Sequence, residues 1–259
     1  MSIKRLYYLL LLFFFFNNLN AQDTITLNTE VLAVKDGLSQ GMISSVLQDK
    51  EGFMWFGTKD GLNKYDGYNF TIYRHEQDNP YSLPDNYVTG IVEDDNGNFW
   101  VGTLTKGLYL FDKRKERFYP VKVATSDGTL SNNTIKPVKY QDGKLLVSDI
   151  HISIYDVSTI HPGNYESVDL SKVKICFDEK KRLFPSRNLF SLIDHSYNWM
   201  SDNSLWLIYE DSIFVYKPNL SGIFQIINSY NISDLGFSDK NKEIYYVADL
   251  PQPNRFLFV

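Results

Sequence analysis

The chain has almost no cysteine and little histidine. Its one cysteine, Cys176, has no partner for an internal disulfide and cannot form a paired-cysteine metal site. The four histidines are His75, His151, His161 and His195. None stands at ligand spacing with another histidine or with the cysteine, so no metal site is indicated and no cofactor is expected. The fold must therefore be stabilised by its hydrophobic core alone.

Motifs of the common catalytic sites are absent as well. The chain has no glycine-rich phosphate loop, no Gly-x-Ser-x-Gly nucleophile elbow and no kinase motif. After residue 21, arginines are few and fall at unrelated positions, which disfavours the clustered Arg and acidic groups of a lyase or glycosidase. The net charge of −5 gives no support to nucleic-acid binding. These absences favour a non-enzymatic protein.

Long hydrophobic runs are limited to one, at the N-terminus. Lys4 and Arg5 precede unbroken apolar residues over 6–16, and Ala21 offers a small residue for cleavage. This order is typical of a secretory signal peptide. The run is too short to cross a bilayer, which takes about 20 residues; an uncleaved short anchor or a buried strand is the alternative. We predict a signal peptide over 1–21, cleaved near Ala21, and an exported, periplasmic mature chain.

What the sequence does have is an internal repeat. Residues 49–58 match residues 94–103 at a spacing of 45, and a Gly-Leu pair and an aromatic-Asp pair follow in both copies. The predicted structural positions are Asp49, Gly52, Trp55, Gly57 and Gly61 in the first copy and Asp94, Gly97, Trp100, Gly102 and Gly107 in the second. Weaker copies centre on Leu146, on Trp206 and on residues 239–247.

A period of 40 to 50 residues with turn signals inside each unit predicts four short strands per unit. In the second copy we predict strands over 88–92, 99–102, 108–111 and 117–121, separated by turns rich in Asp, Asn and Gly. The predicted fold class is all-β: an incomplete β-propeller of about four to five four-stranded blades out of an expected seven. The predicted blades span roughly 36–80, 81–125, 126–160, 187–220 and 223–259, with 158–187 as an insertion or connector.

Each conspicuous group in the repeat has a functional and a structural interpretation. The repeated tryptophans could stack on sugars, but their fixed place in the repeat favours packing between blades. Asp49 and Asp94 are interpreted as turn residues that accept backbone N–H bonds. The basic run 113–117 could bind a polyanion, but it occupies a predicted turn before an outer strand. We therefore favour a solvated edge for this run.

The pattern Asn-x-Val-x-x-Ile-x-x-Asp-x-x-Gly-x-x-Trp-Val-Gly-Thr, followed by Gly-Leu and an aromatic-Asp pair, resembles the two-component regulator propeller repeat. Residues 86–112 carry it almost completely, and residues 37–66 carry it with Gly41-Met42 in place of the Asn-aromatic pair. In intact relatives, the resemblance implies two seven-bladed propellers, an immunoglobulin-like domain, a membrane helix and cytoplasmic histidine kinase parts. It also implies that such sensors in Bacteroidetes detect oligosaccharides and control glycan-utilisation genes.

This chain lacks the kinase, receiver and second hydrophobic span of such sensors, so we expect a fragment or the product of a truncated gene. We expect a non-enzymatic sensor segment with an oligosaccharide ligand. Expected partners are the remaining blades and the kinase portion, and a second copy in a homodimer. The alternatives are an exported lyase or glycosidase on a propeller scaffold and a protein-interaction module. Loops 59–60 and 104–106 are predicted to lie together on one face.

Overall fold

The computed structural model describes residues 31–123, 135–148, 152–160, 167–178, 197–200, 202–209, 212–231, 234, 247–249 and 256–258. Within these ranges the regular structure is strand, apart from two 3-10 turns at Val34–Asp36 and Leu170–Lys172. The predicted all-β fold is confirmed. No helix of the described part is long and apolar enough to span a bilayer. The predicted signal peptide and the centre of the fifth repeat lie outside the described residues.

The first sheet is a four-stranded meander of consecutive antiparallel strands, and four consecutive strands of the second, five-stranded sheet form the same arrangement. The first contains β1 (Ile43–Gln48), β2 (Met54–Thr58), β3 (Gly61–Tyr65) and β4 (Phe70–Tyr73). The second contains β5 (Val88–Glu93), β6 (Phe99–Thr103), β7 (Gly107–Asp112) and β8 (Arg117–Lys122). These four strands extend the predicted ones by one or two residues. Short turns join neighbours in each sheet, as antiparallel pairing allows.

The third and fourth sheets continue the series, and a two-stranded sheet follows. The third contains β9 (Lys136–Gln141), β10 (Lys144–Ser148) and β11 (Ile152–Asp156). Next in the chain are β12 (Val168–Asp169), which pairs in parallel with β8, and β13 (Ile175–Asp178), the outer strand of the third sheet. The fourth contains β14 (Tyr197–Trp199), β15 (Leu205–Tyr209), β16 (Ser212–Pro218) and β17 (Phe224–Asn231). The last pair is β18 (Val247–Asp249) and β19 (Phe256–Phe258).

Segment 158–187, predicted to be an insertion or connector, carries two of these strands. Strand β12 extends the second sheet, whereas β13 completes the third. The segment therefore links two neighbouring sheets through backbone hydrogen bonds. Periodicity did not indicate these strands because β12 has only two residues and β13 has four.

The hydrophobic core lies between successive sheets. One buried cluster joins the first and second sheets, a second joins the second and third, and a third joins the third and fourth. Strand β6 shows how one strand serves two clusters: Phe99 and Val101 belong to the first, and Trp100 belongs to the second. Side chains alternate between the two faces of a strand, so a strand with sheets on both sides is apolar throughout. All five residues of β6 are buried accordingly.

The glycines two residues after Trp55 and Trp100 lie where neighbouring sheets approach closely. A Cβ atom added at Gly57 would lie 2.7 Å from Val88 Cγ1 of the second sheet. A Cβ atom at Gly102 would lie 2.1 Å from the carbonyl oxygen of Ile135, next to the third sheet. A side chain at either position would therefore force the sheets apart.

We predict that Gly102→Ala destabilises the fold, because its methyl group would collide with backbone rather than with a flexible side chain. Overpacking a well-packed core costs about 1–3 kcal/mol. Urea unfolding measures the change in the free energy of unfolding. The matched control is Gly41→Ala, since an added Cβ atom there has no neighbour within 4 Å. Equal stability of the two variants would contradict the close approach of the sheets.

Candidate binding surfaces at the two ends of the sheets

The repeated tryptophans occupy equivalent places in their sheets. Trp55 in β2 lies opposite Leu47 in β1, and Trp100 in β6 lies opposite Val92 in β5. Each tryptophan is therefore in the second strand of its sheet. Both indole rings are 1% exposed. Trp206 is also in a second strand, is 8% exposed and stacks on Tyr230 with ring centroids 6.3 Å apart. The rings of Trp55 and Trp100 therefore leave no open face on which a sugar could stack.

Asp49 closes the turn between β1 and β2 and also binds the repeated tryptophan. Its Oδ1 accepts from the backbone N–H groups of Glu51 at 3.0 Å and Phe53 at 2.9 Å. Its Oδ2 accepts from Trp55 Nε1 at 2.8 Å. A buried carboxylate is tolerated when its oxygens accept hydrogen bonds in this way.

Lys113 joins this turn to the second sheet. Its Nζ lies 3.0 Å from Asp49 Oδ2, 2.9 Å from Glu93 Oε1 and 3.7 Å from Glu51 Oε1. The ammonium group also lies 4.8 Å from the centre of the Phe99 ring. The Lys113 side chain is only 11% exposed, so the solvated-edge interpretation is wrong for this residue. Residues 114–117 are exposed.

The pKa values follow from these contacts. Burial raises the pKa of Asp49, but the hydrogen bonds from Trp55 and Lys113 outweigh it, so the pKa lies below its usual value. Burial lowers the pKa of the Lys113 ammonium, but its bonds to Glu93 and Asp49 outweigh that effect and raise the pKa. Both groups are therefore held in their charged forms at neutral pH.

Asp94 occupies the same turn position in the second sheet but has different partners. Its Oδ1 accepts from the backbone N–H groups of Asn96 at 2.8 Å and Asn98 at 2.9 Å. Burial is the main influence on its carboxyl and raises its pKa. Among the described residues, Trp100 Nε1 has no hydrogen-bond partner, although Trp55 Nε1 donates to Asp49 at the equivalent place. The two turns thus have the same backbone hydrogen bonds, but the pKa values of their carboxyl groups are shifted in opposite directions.

The opposite ends of these strands carry the loops predicted to lie together. Thr105 donates through its backbone N–H and its hydroxyl to Asp85 Oδ2, at 2.9 and 2.7 Å. Arg74 Nη2 lies 2.8 Å from Asp60 Oδ2, and Lys59 Nζ lies 5.5 Å from the centre of the Tyr87 ring. Both loops are therefore bound to the segment 74–87 that connects the first two sheets.

Sequence reasoning missed the connector 74–87 as a part of this surface. The signal that could have identified it is its run of Asn, Asp, Pro and Ser between two near-consensus repeats, which is typical of an ordered loop. In the described residues, no group of three or more His, Cys, Asp or Glu is arranged to hold a metal ion. With Lys59, Tyr87 and Thr105, the loop end carries charged, aromatic and hydroxyl side chains.

Comparison with known proteins matches two of the repeats to a family model. Residues 37–60 and 82–105 match the family model described as two component regulator propeller, which confirms the resemblance of these repeats. Over 48 residues, the chain is 50% identical to Histidine kinase P4 of Formosa agariphila; this match covers 18% of the chain and 4% of the kinase.

Solved structures are similar at lower identity. The extracellular domain of the hybrid two component system BT4673 from B. thetaiotaomicron is 18% identical with a TM-score of 0.47, over 84% of this chain and 34% of that one. Virginiamycin B lyase from Staphylococcus aureus is 13% identical with a TM-score of 0.45, over 88% and 65%. The chain thus spans about a third of the length of the first of these structures.

We predict that Lys113→Met destabilises the fold by roughly 3 kcal/mol, because it leaves two buried carboxylates without their counter-ion. Thermal or urea unfolding measures this loss. Arg114→Met removes the same charge from an exposed neighbour and should change stability by less than about 0.5 kcal/mol. A similar loss in both variants would mean that net charge, and not the contact between the sheets, is responsible.

We predict opposite pH dependences for Asp49→Asn and Asp94→Asn. The folded pKa of Asp49 lies below the unfolded value of 3.8, so its ionised form contributes stability above that value, and the contribution is lost as the pH falls. Asp49→Asn should therefore be destabilised at neutral pH and approach the wild type in acid. The folded pKa of Asp94 is raised, so its ionised form costs stability at neutral pH. Asp94→Asn should be no less stable than the wild type there.

Urea unfolding at about pH 7 and about pH 3 compares the two variants with the wild type, since the difference in proton uptake sets the slope of stability against pH. Both substitutions keep a side-chain oxygen that can accept the backbone bonds of the turn. The same pH dependence in both variants would show that the two carboxyl groups have equivalent environments.

Proposed function

We propose, from the two-component regulator propeller repeats that the chain carries, that it is the sensor-propeller segment of an exported two-component signalling receptor. The observation that carries the proposal is the pair of repeats at 37–60 and 82–105, which match the family. The 50% identity to a histidine kinase over 48 residues supports it. The signal-peptide pattern at the N-terminus supports export to the periplasm.

The chain itself is proposed to do no chemistry. Three buried carboxylates of the described part, Asp49, Asp94 and Asp112, accept backbone N–H groups in turns. Carboxylates used in this way are committed to the fold and do not form the paired acid and base that hydrolysis of a glycoside needs. This use of acidic groups supports a binding role over a lyase or glycosidase.

The proposed ligand is an oligosaccharide, bound at the loop end of the first two sheets. Loops 59–60 and 104–106 converge on the connector 74–87 there, and Lys59, Tyr87 and Thr105 combine charge, an aromatic ring and a hydroxyl group. Loops held on rigid sheets are the usual place for binding residues. Hydroxyl-rich ligands suit such a surface, because it offers donors and acceptors beside an apolar ring.

The proposed partners are the further blades and the kinase portion of an intact receptor. The edge strands leave apolar side chains exposed: Ile43 and Val46 on β1 are 42% and 55% exposed, and Ile226 and Ile227 on β17 are 48% and 56% exposed. Adjacent blades would remove this surface from water. In a dimeric receptor, a ligand that binds one arrangement of the sensors more tightly would shift the population toward it and so change kinase activity.

We predict that the chain binds at least one member of a panel of oligosaccharides in isothermal titration calorimetry. The double variant Lys59→Ala, Lys106→Ala should weaken that binding, because it removes two cations from the proposed loop end. Lys122→Ala removes an exposed cation from β8 and should leave binding unchanged. Failure to bind any oligosaccharide, combined with capture of a stable protein partner, would replace the sensor proposal with an interaction module.

A further inference from the structure

A cavity of about 310 Å³ lies between the second and third sheets, at the turn end of the strands. Three aspartates line it: Asp94 and Asp95 from the second sheet and Asp142 from the third. Tyr140, Val157 and Ser158 also line the cavity and contribute two hydroxyl groups and one apolar side chain. Cavities of about 300 Å³ are at the small end of ligand sites, so the cavity suits a small molecule.

The junction between the first and second sheets shows which group occupies the equivalent position there. There the ammonium group of Lys113 fills the space between the sheets and binds Asp49 and Glu93. Lys113 directly follows Asp112, which ends β7. The residue that directly follows Asp156, at the end of β11, is Val157. The second junction therefore has a valine where the first has a buried cation.

The carboxylate that faces this missing cation is still present. Asp94 corresponds to Asp49 in the repeat and is 4% exposed. Its Oδ1 is used by the turn, but among the described residues its Oδ2 has no hydrogen-bond partner. Burial raises the pKa of Asp94 and outweighs the opposing effects of the two backbone bonds and of the nearby Lys50 ammonium group, so the buried charge is only partly compensated. An external cation would therefore be stabilised here.

The neighbouring polar groups are already engaged. Asp95 Oδ2 accepts from the Tyr140 hydroxyl at 2.9 Å, and Asp142 Oδ2 accepts from Asn203 Nδ2 at 3.0 Å. Lys50 Nζ donates to the backbone oxygen of Asp94 at 2.9 Å and lies 4.0 Å from Asp95 Oδ1, so it does not replace Lys113. These groups fix the walls of the cavity, and Asp95 and Asp142 are exposed, so Asp94 is the buried carboxylate of the three.

We propose that this cavity binds the ammonium group of a small hydroxylated amine, with Asp94 as the anion that holds it. A charge-assisted N–H to carboxylate bond is among the stronger hydrogen bonds in proteins. The Tyr140 and Ser158 hydroxyls donate their protons to Asp95 and Asp156, so their oxygens can only accept from hydroxyl groups on the ligand. Val157 gives an apolar wall. The site is separate from the proposed oligosaccharide loops, because Asp94 precedes β6 whereas residues 104–106 follow it.

The test is a calorimetric titration of the full chain with glucosamine, at a pH where its amino group is charged. Glucose, which lacks the ammonium group, is titrated in the same way as the control ligand. We expect glucosamine to bind and glucose not to bind. Asp94→Asn should weaken glucosamine binding roughly tenfold or more, because it removes the charged acceptor. Asp66→Asn is the matched control: Asp66 Oδ1 also accepts two backbone N–H groups in a turn.

A second variant tests the site from the other side. Val157→Lys places an ammonium group where Lys113 places one in the first junction, so it should abolish glucosamine binding. Val157 is 4% exposed and belongs to the core cluster, so the melting temperature of the variant is measured as well. If Val157→Lys does not fold, Asp94→Asn still tests the proposal.

Four results would overturn the amine site, of which three concern glucosamine binding itself. These are no binding of glucosamine, equal binding of glucose and glucosamine, or unchanged binding in Asp94→Asn. Saturation by calcium chloride that displaces glucosamine and is tighter would also overturn it, in favour of a metal. None of these results bears on the oligosaccharide panel, so failure of the amine site is distinguishable from failure of the sensor proposal.

Discussion

The packing of each sheet against the next is the constraint on which the rest of this structure depends. A small antiparallel sheet with apolar residues on both faces cannot hide them alone, so each sheet needs neighbours. Trp100 and Phe99 are adjacent in β6 yet lie in different buried clusters. Gly57 and Gly102 are required for the same reason, because a Cβ atom at either would meet the next sheet. The residues that recur in the repeat are therefore determined by contacts between neighbouring sheets.

The junctions between sheets share this geometry but differ in chemistry. The first contains a nearly buried ion pair network centred on Lys113, and the second has Val157 at the corresponding place. A buried ion pair adds little net stability but fixes which groups must meet, since either partner alone is costly. One repeat scaffold thus supports a closed polar junction in one place and an open acidic cavity in the next. The loops that contact the connector 74–87 lie at the opposite ends of the same strands.

Much of the fold could be predicted because the repeat signals are local. The 45-residue spacing placed Trp55 and Trp100 in the same strand of successive sheets, and the Asp-to-Gly turns bounded the strands that the structure shows. Strand β13 was missed, because its four residues lie in a segment without periodicity. Lys113 was expected in solvent, because a lysine in a charged run at a turn gives no sign of a buried partner.

The sequence by itself determined the all-β repeat, the strand order within the first two sheets and the turn role of Asp49, since each depends on residues a few positions apart. Only the tertiary structure decided the partners across sheets. Lys113 meets carboxylates 64 and 20 residues away, and the two loops meet a connector between them. Such contacts depend on how one sheet is rotated and spaced against the next, and no local pattern encodes that arrangement.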